Sequence, residues 1–71
     1  MYNFIKNKNF NKLLKQYPIV NKTPTIAIMN DLRRKLGCDM YQAKLLMQRS
    51  NSVREAINLT HSIAMKINKH N

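Results

Sequence analysis

The sequence predicts an all-α protein, a compact bundle of three short helices led by a basic amphipathic helical arm and ending in an extended last helix. Three observations predict it. Apolar residues recur at helical spacing, as in Phe10, Leu13, Leu14 and Tyr17, and nowhere alternate as they would in a half-buried strand. Two interior stop-and-start signals, at Gly37-Cys38-Asp39 and at Asn51-Ser52, divide the helical stretches. With 71 residues, one glycine and two prolines, the chain has room for one small domain and few loops.

Residues 1–22 read as the arm. They carry Lys6, Lys8, Lys12, Lys15 and Lys22 and no acid. Phe10, Leu13, Leu14 and Tyr17 form one helical stripe, and Phe4 and Ile5 extend its apolar character toward the start. Pro18 disfavours helix at the residue before it, so the element should end at Tyr17. Repeated Asn is poor helix material, so the arm needs a surface to hold it, either an outside partner or the chain's own helices. The stretch lacks the Arg and Ser of an organellar targeting sequence, and is expected to remain part of the working chain.

Residues 23–60 form the predicted three-helix domain. Thr23 and Pro24 suit an N-cap and first helical position, and Ile28, Met29, Leu32 and Leu36 give the first helix its apolar stripe. Arg33, Arg34 and Lys35 fall in its last turn, where cations complement the helix dipole. Gly37 follows, where a left-handed residue ends a helix, giving a helix over 24–36. Asp39 with Gln42 predicts a capped second helix that buries Met40, Ala43, Leu46 and Met47 and ends near Ser50 or Asn51. Ser52-Val53-Arg54-Glu55 is a stricter capping box for the third. That helix, built on Val53, Ala56, Ile57, Thr60, Ile63, Ala64 and Ile67, has no Gly or Pro stop and should reach about Lys69. Residues 61–71, its extension and tail, are then free to meet a partner or the arm.

Composition excludes several function classes. A lone Cys38 permits no internal disulfide, and with His61 and His70 it makes too few scattered ligands for a structural zinc site, which takes about four. A reducing compartment follows, not a secreted protein. No apolar run approaches the roughly 20 residues of a membrane span, so an integral membrane protein is not expected. There is no paired-carboxylate, Gly-rich phosphate-loop or nucleophile-base arrangement. Neither a catalytic residue nor a metal or other cofactor is expected. What stands out is the net charge of +10, which is best tolerated beside a polyanion. The Lys and Asn excess is that of an AT-rich coding sequence, as in an organelle genome.

The run Leu32-Arg33-x-x-Leu36-Gly37-x-x-Met40-x-x-Ala43-Lys44 resembles the N-terminal domain of elongation factor Ts, where it reads Leu-Arg-x-x-Thr-Gly-x-Gly-Met-x-x-Cys-Lys. Asn51 to Leu59 is similar to the last helix of ubiquitin-associated (UBA-like) three-helix domains, Asn-x-Val-x-x-Ala-x-x-Leu. The likeness covers about residues 25 to 60 and none of the core domain that exchanges nucleotide in that family. It implies a module that docks on an elongation factor Tu-like GTPase through Arg33, Met40, Tyr41 and Lys44. Leu36 and Cys38-Asp39 depart from the family's Thr and small residues. Ubiquitin is not an expected partner, because Leu36-Gly37-Cys38 lacks the large aromatic of the ubiquitin-binding loop.

Charge and resemblance together lead to one expectation with two alternatives. The expectation is a non-catalytic basic subunit of a large RNA–protein assembly, such as an organellar ribosome in the mitochondrial or another organellar matrix, or otherwise a cytoplasmic one. Its partners are ribosomal RNA and ribosomal proteins, with Lys6, Lys8, Lys12, Lys15, Lys22, Lys66 and Lys69 on phosphates. The alternatives are the GTPase-binding module and an accessory subunit of a respiratory membrane complex.

Overall fold

Phe10 and Leu14, four residues apart in the lysine-rich leader, are both fully buried. In the computed structural model, which describes residues 8–69 (the last by its backbone alone), they lie on a short helix, α1 (Lys8–Leu14). Three more follow: α2 (Ile26–Leu36), α3 (Met40–Gln48) and α4 (Val53–Lys69). The described residues contain no strand. Four helices share one core, where the sequence analysis expected three and an arm.

The helix α1 stops three residues short of Tyr17. After Lys15 the backbone tightens, with Gln16 N–H donating to Leu13 O and Tyr17 N–H to Leu14 O at 3.1 Å each. These i→i+3 bonds turn the chain before Pro18, which disfavours a helical Tyr17. The following link lies against the end of α3: Val20 and Asn21 N–H both donate to Gln48 O, at 2.8 and 3.0 Å. Gln48 Nε2 in turn donates to Lys22 O at 3.1 Å.

The start of α2 differs from expectation by two residues. Thr25 is the N-cap, and its hydroxyl accepts from Ile28 N–H at 3.3 Å. Pro24 is buried just before the cap instead of standing at the first helical position, and Thr23 N–H is taken by Asn21 Oδ1 at 3.2 Å. The other end is as expected. Gly37 is left-handed (φ 73°) and its N–H donates to Arg33 O.

Asp39 caps α3 through Gln42 N–H at 2.8 Å. The helix ends at Gln48, before the expected Ser50 or Asn51. The second capping box closes in one direction, with Glu55 N–H donating to Ser52 Oγ; the Glu55 carboxylate reaches one residue farther back and accepts from Asn51 N–H at 3.1 Å.

The core gathers Phe10, Leu14, Met29, Leu32, Leu36, Leu46, Met47, Ala56, Ile63 and Ile67. The helix α4 packs on all three others, and α1 packs on α4 and α3. Gln42 Nε2, on α3, donates to Asn11 Oδ1 at 3.1 Å, which fixes how α1 is rotated. Buried Thr60 satisfies its hydroxyl on Ala56 O at 2.9 Å.

Two outcomes follow for stability. Phe10→Ala removes a fully buried ring from a small core and should cost about 3–5 kcal/mol, read as a large loss in thermal midpoint by circular dichroism. Gly37→Ala forces a side chain into the left-handed region at about 1–2 kcal/mol; Gly37→Asn should cost less.

Candidate nucleic-acid interface

The chain's three carboxylates are all engaged close to home. Asp39 caps α3, and Glu55 accepts from Asn51 N–H in the turn before α4. Asp31 holds Lys35 Nζ at 3.1 Å and Arg34 Nη2 at 3.7 Å, both within α2. Among the described residues no other Lys or Arg has a carboxylate within ion-pair distance. The surplus is therefore not balanced within the molecule.

On α1 the surplus is ordered. Lys8 and Lys12, and Lys15 one residue past the end of α1, stand four and three residues apart; Lys15 N–H still donates to Asn11 O at 3.0 Å, so the three share one face, and all are exposed. Phe10 and Leu14 lie on the opposite face, in the core. Packing of the apolar face thus decides that the lysine face points to solvent.

The other predicted phosphate contacts are more scattered. Lys22 is exposed in the link whose carbonyl is bound to Gln48. Lys66 is engaged with the other end of the chain: its Nζ donates to Tyr17 Oη at 2.9 Å and lies 4.9 Å from the Tyr17 ring centroid, a cation–π distance. Lys6 lies outside the described residues, as does the side chain of Lys69.

Arg33, Met40, Tyr41 and Lys44 sit on either side of the α2–α3 turn and along α3. Tyr41 is 55% exposed, Lys44 shares its face three residues on, and Met40 is half-buried against the core. Arg33 Nη1 donates to Asn30 Oδ1 at 3.4 Å. Beside them is a cleft of about 450 Å³ lined by Asn30, Arg33, Arg34, Gly37 and Cys38. A wider groove of about 660 Å³ along α4 is lined by Ser62, Met65, Lys66 and Asn68.

Cys38 is buried. Burial pushes its thiol above the usual 9.0, and the Asp39 carboxylate adds to this, while a backbone N–H and Arg33 pull the other way. At neutral pH the thiol is uncharged. Among the described residues no three His, Cys, Asp or Glu side chains come together to hold a metal, and no helix is long and apolar enough to cross a membrane.

Three features escaped the sequence reading. The Asp31–Lys35 pair was legible as an i,i+4 spacing. The Tyr17–Lys66 and Asn11–Gln42 contacts carry no local signal, being 49 and 31 residues apart. No known protein family, characterised protein or solved structure matches this chain.

The Cys38 thiol sets an expected pH response. Because the folded state holds the proton more tightly, its contribution to stability is complete below pH 9.0 and is lost as pH rises through the raised folded value. Denaturant melts across that range should decline less in Cys38→Ala than in the wild type. Thiol reagents at about pH 8 should react far faster with the unfolded chain.

Proposed function

We propose that the protein is a non-catalytic basic subunit of a large RNA–protein assembly, an organellar ribosome foremost, held there through RNA phosphates. The observation that carries this reading is the uncompensated charge. A net +10, with Asp39 and Glu55 taken up at helix starts and Asp31 within its own helix, leaves Lys8, Lys12 and Lys15 without a counter-charge among the described residues. A phosphate chain supplies one, and release of its condensed counterions drives the contact. The sequence resemblance of about residues 25 to 60 to UBA-like domains supports a docking module in the same picture, with no enzymatic role.

A second reading has an observation of its own. Tyr41 is a half-exposed aromatic with Arg33 across the turn, two side-chain types that anchor protein interfaces, and Lys44 lies on the same face as Tyr41. On the likeness to elongation factor Ts, the partner is an elongation factor Tu-like GTPase. Tyr41→Ala should then abolish a saturable complex with that GTPase while leaving RNA binding intact.

The RNA reading is tested by affinity for a ribosomal RNA fragment between about 50 and 200 mM salt. Log K should fall with log salt, and Lys8→Gln/Lys12→Gln/Lys15→Gln should reduce the slope by about 2, at roughly 0.7 per single-strand phosphate released. Affinity indifferent to salt in the wild type would refute it.

A further inference from the structure

The turn between α2 and α3 carries arginines where α1 carries lysines, and the difference is chemical. A guanidinium presents five N–H donors in a planar fork that matches two oxygens of one phosphate, whereas an ammonium is a point charge. The geometry points to a seat for a phosphate group in the cleft between Arg33, Arg34 and the Gly37–Cys38 backbone. It rests on the RNA reading and deepens it, by naming a place where a single phosphate is gripped and oriented.

Four observations converge there. Arg33 has no carboxylate partner among the described residues, and its one side-chain bond, to Asn30 Oδ1 at 3.4 Å, leaves most of its fork open to a ligand. Arg34 is held only at 3.7 Å by Asp31, whose closer partner at 3.1 Å is Lys35. Gly37 leaves the floor of the cleft open, since a Cβ built there would meet nothing within 4 Å. The remaining lining, Asn30 and the Cys38 thiol, bears no charge at neutral pH.

Two carboxylates border the cleft: Asp31, 3.7 Å from Arg34 Nη2, and Asp39, next to Cys38 in the chain. Asp39 Oδ1 accepts from Gln42 N–H at 2.8 Å at the positive end of α3, and the charge of Asp39 is still felt at the Cys38 thiol. The cleft is about 450 Å³ and open to solvent, which leaves room for a phosphate group. The phosphate can belong to an RNA backbone or be free in solution.

The full chain, labelled with nitrogen-15, distinguishes these. Inorganic phosphate and decauridylate are titrated separately while the Arg33 Nε–Hε and Gly37 N–H resonances are followed. Saturable movement of both signals with decauridylate is the expected result. Arg33→Gln should weaken decauridylate binding roughly three- to tenfold at low salt and lower the salt slope by about 0.7. Arg54→Gln, which removes one exposed charge at the start of α4, should have a smaller effect.

Resonances that move with neither probe would overturn the seat. So would an Arg33→Gln protein that behaves like Arg54→Gln; if the triple lysine variant still loses RNA, the RNA reading stands without the seat. Movement with inorganic phosphate alone, with no decauridylate binding anywhere, keeps the seat, assigns it to free phosphate and removes the RNA reading.

Discussion

The packing of α1 against α4 is the contact on which the other features of this molecule depend. The helices α2 and α3 are 11 and 9 residues long, against 17 for α4. Such short helices leave part of the long one without cover. Phe10 and Leu14 provide that cover, and Gln42 locks its rotation through Asn11. A chain of this size buries only about 60% of the surface its unfolded form exposes. Two fully buried large side chains from the leader are therefore a substantial share of the core, not an accessory to it.

The same contact organises the charge. Once the Phe10–Leu14 face is inward, the Lys8, Lys12 and Lys15 face has no direction left but solvent. At the far end of α4 the leader is tied again by Tyr17, which accepts from Lys66 and presents its ring to that cation. One predicted phosphate ligand is thereby drawn into holding the fold together. The surplus charge of the described residues is thus carried on a packed four-helix body of 35 × 25 × 18 Å. On the proposed reading, little ordering remains to be done when a polyanion arrives, so less of the contact energy is lost to it.

Helix boundaries show how far sequence reasoning reaches. Gly37, the Asp39–Gln42 cap and the Ser52–Glu55 box were all legible, because each bond closes within a few residues and depends on nothing farther away. Thr25 displaced Thr23 as the cap of α2, while Pro24 is buried before it and Thr23 is held by Asn21; burial is decided by what packs nearby. The helix α1 ended early for a local reason, Pro18, that took effect through two tight turns. Of the candidate site, the identity of the cations was legible. Their partners were not, and Asp31's double pairing separates Arg34 and Lys35 from Arg33, which the dipole argument treated alike.

By itself the amino-acid order determined that this chain is helical, roughly where its helices start and stop, and that it carries far more positive charge than it can neutralise. Those properties are set by periodicity, short-range capping and composition. Only the tertiary structure decided that the leader is a fourth wall of the core, which of its faces is exposed, and that two arginines border an open turn. Those outcomes depend on side chains dozens of residues apart competing for the same apolar surface, and no local pattern records which one wins.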